Sequence, residues 1–329
     1  MLTWNKSVLS TIMVCFVLSM ITGCGGGSSG GGGSAVAESF YSGVETQALL
    51  DENNAQQIVE EAYWGGSSTS SITIPFAAAD SISLERINFS FRSYLTTFAE
   101  DLVQHVNAYD GAGAPSAMSA AVHDYYTEDE YEGSISGIVT SDTETGDVSG
   151  TFTYNNYFLL GVVSNGVITF EGNVSDTGMT VYIEFSYFTV SYDDVSQTMN
   201  GSVSLGPSNE NLIMILNIVI GDNTTGKTYW MHDYRIEIEY DRDTEYVSIS
   251  GLFYDYDYGY VVLSTELPLV YYDNDDFPSR GLIVAAGAEG SAGGSTHAWL
   301  EIQSSSTYTL YVDTDGDGYE DWKSGVLWW

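Results

Sequence analysis

The sequence from about Glu132 to the C-terminus alternates apolar and polar residues with a period of two. Runs rich in Val, Ile, Thr, Tyr and Phe are separated by short segments of Gly, Asn and Asp, which is typical of half-buried strands joined by turns. No helical period interrupts these runs, so a parallel βαβ sheet is not expected. The pattern predicts antiparallel meanders in a large β-sheet or in a closed or curled β-barrel.

The boundaries of these strands follow from the Gly, Asn and Asp segments. Ser164-Asn165-Gly166-Val167 predicts a tight hairpin, because Asn-Gly suits a type I′ turn. Longer turns are predicted at 222–226 and 255–259. The predicted strands are 133–140, 147–155, 157–163, 166–174, 179–192, 197–205, 210–220, 228–240, 244–255, 258–271, 281–288, 296–303, 307–313 and 319–328.

The part of the chain before these strands, 37–131, has a helical period instead. Within 51–63, four apolar residues fall on one helix face, after a plausible N-cap at Asp51. Residues 84–106 form the strongest helical pattern, and Leu95 and Phe98 belong to its apolar stripe. The predicted fold class is therefore α+β, with N-terminal helices packed on the β region 132–329 as one folded unit. The four residues of the first helix face are Ala55, Ile58, Val59 and Ala62.

The N-terminus resembles the signal of a bacterial lipoprotein. An apolar run too short to span a membrane follows Lys6, and it ends in Ile21-Thr22-Gly23-Cys24, which is similar to a lipobox. The resemblance implies a signal peptide over 1–23 and acylation of Cys24, for instance with palmitate. Gly25 then favours the outer membrane, on its periplasmic or its cell-surface face, and 24–36 is a flexible Gly/Ser tether. The alternative is an ordinary secretory signal with a chance cysteine.

The charge of the chain restricts its partners. It has 45 Asp and Glu against 8 Lys and Arg, for a formal net charge of −37. Nucleic acid is not an expected partner, because affinity for phosphates depends on Lys and Arg. Such a surface attracts cations instead. The only other cysteine, Cys15, lies in the predicted signal peptide, so no disulfide is expected in the mature chain.

One motif in the sequence matches a known ligand chemistry. Asp313, Asp315 and Asp317 alternate with other residues and are followed by Gly318, as in the first half of an EF-hand calcium loop. Asp321 is a further candidate ligand. The position of the bidentate EF-hand Glu holds Ser324, so the loop is closer to the shorter Asp-x-Asp-x-Asp-Gly type. We predict a calcium site at these four aspartates, with a plain hairpin turn as the alternative.

The remaining sequence gives no catalytic motif. His-Glu-x-x-His, Gly-x-Ser-x-Gly and P-loop patterns are absent from the sequence, and the four histidines are scattered. The acidic segments at 128–130 and 273–276 are interpreted as solvated loops. A transmembrane barrel is a further possibility by strand length, but charge on one face of 235–239 fits a half-solvated sheet equally well.

Three stretches of the chain are similar to a group of exported bacterial lipoproteins without an assigned activity. The resemblance implies export and one fold unit, and it transfers no catalytic residue. The expected function is an outer-membrane-anchored lipoprotein with a binding or structural role, and an enzyme is less expected. A carrier of an apolar ligand such as lipid and a glycan-active hydrolase are the alternatives. The similar stretches are Tyr41-x-Gly43 with Ala48 and Asn54-Ala55, then Gly226-Lys227-Thr228-Tyr229-Trp230, then 312–318 with Trp322 and Ser324-Gly325-Val326-Leu327.

Overall fold

The computed structural model describes residues 37–64, 121–128, 133–142, 145–159, 162–175, 178–192, 195–208, 211–242, 244–272 and 277–329. Within these ranges it is 70% strand and 5% helix. The predicted α+β class is wrong, because the described residues form an open antiparallel sheet with one ten-residue helix, which is too small to make a helical layer. The predicted helix 84–106, with Leu95 and Phe98, lies outside the described residues, as do the signal peptide, Cys24 and the tether.

The strands follow one another across the sheet in the order of the sequence. Each strand from β1 to β14 pairs antiparallel with the next, and β15 pairs with β13. The first strand lies inside the region predicted to be helical, where His123 to Thr127 supply β-branched and aromatic residues. The strands are β1 (Ala121–Glu128), β2 (Ser134–Ser141), β3 (Asp147–Leu159), β4 (Val162–Ser175), β5 (Gly178–Tyr192), β6 (Val195–Ser208), β7 (Asn211–Asp222), β8 (Thr228–Asp241), β9 (Thr244–Asp255), β10 (Gly259–Tyr272), β11 (Arg280–Glu289), β12 (Ser295–Ser304), β13 (Thr307–Asp313), β14 (Trp322–Lys323) and β15 (Leu327–Trp328).

The predicted strands agree with most of the sheet. Two of them are wrong, because 157–159 ends β3 while 162–163 begins β4, and only 322–323 and 327–328 of the predicted strand 319–328 are strand. One predicted turn is also wrong. Ser164–Val167 does not form a hairpin, because Asn165 and Gly166 lie inside β4. The predicted turns at 222–226 and 255–259 are confirmed, since they connect β7 to β8 and β9 to β10. The amide N–H of Gly226 donates to the carbonyl oxygen of Asp222 at 2.7 Å, which closes the first of these turns.

Asn165 instead stabilises a β-bulge. At bulges in β3, β5 and β8, one residue has a positive φ, and its backbone N–H donates to an Asn side chain on the adjacent strand. The three donor–acceptor pairs are Asn156 and Asn165 at 2.8 Å, Tyr187 and Asn200 at 2.8 Å, and Asp233 and Asn217 at 2.9 Å. Gly166 has φ of 122°, and a Cβ there would lie 2.8 Å from Cα of Phe188. Bulges bend strands and increase their twist, so this series accounts for curvature of the sheet.

The helix α1 (Ala55–Trp64) packs against the later strands, where its apolar face joins the main core cluster. The N-cap prediction is confirmed, because Oδ1 of Asp51 accepts the N–H of Asn53 at 2.7 Å and of Asn54 at 3.1 Å. All four residues of the predicted apolar face are buried in the main core cluster. The hydroxyl of Tyr234 in β8 donates to the carbonyl of Ala62 at 2.7 Å, so the sheet and the helix end are joined directly.

A segment before α1 crosses one end of the sheet. Residues 37–51, here named the front strap, bond to the ends of β8 to β12. The backbone N–H of Ser42 donates to Oγ1 of Thr228 at 3.0 Å, and the N–H of Ala48 donates to the carbonyl of Tyr260 at 2.8 Å. The N–H of Leu50 donates to Oγ1 of Thr296 at 3.1 Å. Among the described residues, no helix has the length and apolarity needed to cross a membrane.

Candidate functional site

The loop 313–321, here named the Asp loop, follows β13 and gathers three carboxylates. Asp313, Asp315 and Asp317 each offer an oxygen, and these oxygens lie within 4.8 Å of one another. Asp313 is fully buried, Asp315 is half-buried and Asp317 is exposed. The group is therefore open to solvent on one side and can hold a metal ion.

Backbone amides fix the aspartates of the loop. Oδ1 of Asp313 accepts the N–H of Gly316 at 2.7 Å, and its Oδ2 accepts the N–H of Gly318 at 2.8 Å. Asp315 accepts the N–H of Asp317 at 3.0 Å, and Asp317 accepts that of Tyr319 at 2.8 Å. A carboxylate has about four lone-pair sites, so these bonds leave acceptor capacity for a cation.

The turn between β11 and β12 supports the loop from one side. The N–H of Ala292 donates to the carbonyl oxygen of Asp315 at 2.7 Å. A Cβ at Gly294 would lie 2.3 Å from the carbonyl oxygen of Gly316, so the two turns approach more closely than a side chain allows. Gly316 has φ of 80°, a conformation that glycine adopts readily. The loop backbone is thus held in place by its neighbour.

The structure gives Asp321 and Ser324 other partners. Oδ2 of Asp321 accepts the N–H and the hydroxyl of Thr314, at 2.9 and 2.8 Å, and it does not belong to the converging group. These bonds lower the pKa of Asp321, whereas partial desolvation and the charges of neighbouring aspartates raise the pKa of Asp315. Oγ of Ser324 accepts the N–H of Leu310 at 3.0 Å, so this side chain serves the β13–β14 pairing. The acidic residues at 129–130 and 273–276 lie outside the described residues.

An open groove of about 880 Å³ adjoins the Asp loop. Trp299 of β12 and Tyr311 of β13, which are cross-strand partners, form its centre. They alternate with buried core residues, so they face away from the core. Gly318, Tyr319 and Glu320 of the Asp loop line one side of the groove. The groove was not predicted from the sequence, although the outward positions of both rings follow from the period of two.

A distortion of β10 builds the other side of the groove. Pairing between β9 and β10 stops at Val261 and resumes at Leu269. Inside this gap, Oγ1 of Thr265 replaces the backbone pairing, since it accepts the N–H of Ile249 at 2.8 Å and donates to its carbonyl at 2.9 Å. The segment 266–268 thereby leaves the regular ladder, and it lines the groove. Bulges of this kind are common beside binding sites.

A second acidic feature, a pair of buried carboxyl groups, was not found from the sequence. Glu61 of α1 is 2% exposed and Asp255 of β9 is 1% exposed, and Asp255 is the neighbouring carboxyl group that acts on the pKa of Glu61. Among the described residues, neither Glu61 Oε2 nor Asp255 Oδ2 has a hydrogen-bond donor within reach. A proton shared between them satisfies both oxygens. Burial first, and then the bond and charge of Asp255, raise the pKa of Glu61 well above its usual range.

The surroundings of this pair are also charged. Nζ of Lys227 lies 2.5 Å from Oδ2 of Asp257, and this bond raises the pKa of Lys227. Burial, followed by the charges of Glu61 and Asp255, raises the pKa of the Tyr229 hydroxyl.

The Glu61–Asp255 pair is sealed from solvent, so it can hold a proton and fix α1, and no substrate reaches it. A signal existed in the sequence, because Glu61 lies three positions after Ile58 on the apolar face of α1.

Comparison of the chain with protein-family models, curated proteins and solved structures finds no match. The fold and the two acidic features therefore stand on the geometry of this chain alone. The similarity to exported lipoproteins described above remains an expectation.

Proposed function

We propose that this chain is an exported, lipid-anchored binding protein without enzymatic activity, in which the Asp loop holds Ca²⁺. The observation that carries the proposal is the convergence of Asp313, Asp315 and Asp317 within 4.8 Å. Two oxygens on opposite sides of a Ca²⁺ ion are about 4.6–5.2 Å apart, because Ca–O distances are about 2.3–2.6 Å. The smaller Mg²⁺ needs oxygens at about 2.0–2.1 Å, so that opposite ligands would lie only about 4.0–4.2 Å apart.

The expected affinity for Ca²⁺ is modest. Position twelve of the EF-hand pattern is Ser324, which bonds to Leu310 and supplies no bidentate carboxylate. Dissociation constants of about 10⁻⁴–10⁻³ M are typical of extracellular calcium modules, and we expect this range here. Such a site is filled in a calcium-rich exterior, which agrees with the proposed export.

The anchor of the proposed protein is an acyl group on Cys24, and the Gly/Ser tether 24–36 separates the folded part from the outer membrane.

Two other functions receive less support. The apolar face of α1 is packed into the main core cluster together with residues of β8 to β13, where a carried lipid would otherwise lie. The buried Glu61–Asp255 pair is closed to substrate, so it does not favour a glycan-active hydrolase.

Calcium binding is tested by thermal unfolding at low ionic strength, where repulsion among the aspartates is least screened. We expect added Ca²⁺ to raise the melting temperature above that in chelator, with about 2.7 kcal/mol of stabilisation at a hundred times the dissociation constant. Asp315→Asn keeps Oδ1 for the N–H of Asp317 and removes one charge, so it should weaken the calcium effect.

The matched control is Glu239→Gln, which removes one charge from an exposed position of β8, away from the Asp loop. This variant should keep the full calcium effect. Equal melting temperatures in Ca²⁺ and in chelator for the unmodified protein would contradict the proposal, and the Asp loop would then be a plain turn.

A further inference from the structure

We propose that the groove beside the Asp loop binds a neutral carbohydrate chain, with sugar rings placed on Trp299 and Tyr311. The inference deepens the proposed function, because it names the ligand of the binding protein. It also rests on that function in one respect, since part of the groove wall is the loop that would hold Ca²⁺.

The size and position of the groove suit a short chain of sugar rings. Its volume of about 880 Å³ lies within the roughly 300–1,000 Å³ of typical ligand pockets. It is open along the sheet surface, so a polymer can enter from the side without threading into a closed cavity. Its centre is built on β12 and β13, which are rigid elements of the sheet.

Neighbouring side chains hold the two central rings in place. The ring of His297 lies nearly parallel to that of Trp299, with 5.5 Å between ring centroids. Nζ of Lys323 lies 4.5 Å from the centroid of the Tyr311 ring, and the Tyr311 hydroxyl donates to Oε2 of Glu301 at 2.8 Å. Rings that are ordered before binding lose little conformational entropy when a ligand arrives.

The edge of the groove combines acceptors and donors of hydrogen bonds. Glu266, Glu301 and Glu320 supply carboxylate oxygens, and Arg280 supplies guanidinium N–H groups. A sugar ring has apolar faces and an edge of hydroxyls that both donate and accept, so it matches aromatic rings bordered by such groups.

The local charge favours a neutral ligand over an ionic one. The chain has only 8 Lys and Arg in total, and two of them, Arg280 and Lys323, lie at this groove. They offset most of the charge of the three glutamates there, whereas the whole chain carries −37. An anionic polymer would be repelled by the chain as a whole.

The test uses the full chain in Ca²⁺ and an array of immobilised neutral oligosaccharides of glucose, xylose, mannose, galactose and N-acetylglucosamine. We expect binding to at least one of them, confirmed by titration of Trp fluorescence with the free oligosaccharide. Trp299→Ala should weaken that binding by about tenfold or more. Tyr319→Ala, at a position that is 77% exposed, removes a groove residue with little risk to the fold and should also weaken binding.

The matched control is Trp328→Ala, because this Trp is 73% exposed and lies outside the groove. Its binding should equal that of the unmodified protein. The proposal is overturned by an array without binding, or by binding that Trp299→Ala and Tyr319→Ala leave unchanged.

The two proposals fail in different ways. If melting is insensitive to Ca²⁺ while oligosaccharide binding persists and depends on Trp299, the calcium proposal fails and the groove proposal stands. If Ca²⁺ stabilises the protein and the array shows no binding, the groove proposal fails alone.

Discussion

Single residues decide how closely the front strap approaches the sheet. Tyr41 places its hydroxyl between two backbone carbonyls, donating to that of Asp255 at 2.7 Å and lying 2.9 Å from that of Val44. Gly43 then passes directly beside Tyr256 in the turn between β9 and β10, and the N–H of Val44 donates to the Tyr256 carbonyl at 3.0 Å. The strap can dock here because residue 43 has no side chain.

We therefore expect Gly43→Ala to destabilise the fold. Its Cβ would lie 2.6 Å from Cα and 2.8 Å from the carbonyl oxygen of Tyr256, and backbone atoms cannot move aside cheaply. The expected loss is about 1–3 kcal/mol, measured by chemical denaturation. Gly325→Ala is the control, since its Cβ would meet no atom within 4 Å and should change stability little. Equal stability of the two variants would mean that the strap is not docked as described.

At the scale of elements, α1 is held inside the curved part of the sheet by polar contacts at both of its buried glutamates. The hydroxyl of Tyr308 in β13 donates to Oε1 of Glu60, and Glu61 meets Asp255 of β9. The hydroxyls of Tyr63 and Tyr271 are 2.8 Å apart. Because the helix is short, these contacts and its apolar face stabilise it more than helix propensity does.

The Glu61–Asp255 pair makes stability depend on pH. The pKa of Glu61 is raised in the folded state, so the folded protein keeps a proton that the unfolded chain loses near its ordinary value of about 4.3. The stabilisation is complete below that pH, and it declines as the pH rises toward the folded pKa. Melting temperatures between about pH 5 and about pH 8.5 should therefore fall steadily.

Glu61→Gln separates this effect from other titrating groups. The amide can donate to Asp255 at every pH, so the variant should show a much flatter pH profile than the unmodified protein. Parallel profiles for the two proteins would show that no proton is shared by this pair.

These elements also show which features the sequence can predict. The period of two identified the later strands, since each buries one face, and the same reasoning found the buried face of α1. Asn165-Gly166 was misread because these residues also suit a bulge, in which Asn165 accepts the N–H of Asn156 and Gly166 has a positive φ. Local patterns indicate single residues, such as Glu61 on an apolar helix face and the outward Trp299 and Tyr311. They do not indicate which distant residues these side chains meet, so the approach of Glu61 to Asp255, the groove and the distorted β10 were not predicted.

At the scale of the whole molecule, the chain combines a strongly acidic surface with a fold whose neighbouring strands are consecutive in sequence. The converging aspartates and the Tyr41–Asp255 contact lie on the same connected sheet, although their motifs come from opposite ends of the chain. The front and the end of the described chain therefore contact the same sheet. The proposed attachment of the chain to a membrane depends on Cys24.

We expect Cys24→Ser to abolish acylation and to leave an uncleaved or a soluble species. The measurement is the intact mass of the protein purified from a bacterial host, combined with fractionation of the cells. Cys15→Ser is the matched control, because it lies inside the predicted signal peptide and should leave lipidation at Cys24 unchanged. A wild-type mature protein without acyl mass at Cys24 would disprove the anchor.

Because of the front strap, the resistance of the molecule to an applied force depends on the direction of that force. It crosses the ends of consecutive strands, with bonds to Thr228, Tyr260 and Thr296 along its length. A force can be applied to the chain before Ala37 in the direction of the strap. Such a force loads these bonds together, in shear. A pull away from the sheet end breaks the contacts of the strap one after another, beginning at Ala37 and Tyr41, which are buried in a cluster with Trp230 and Tyr254. The strap therefore resists a force along its own direction, and it is peeled off by a force directed away from the sheet.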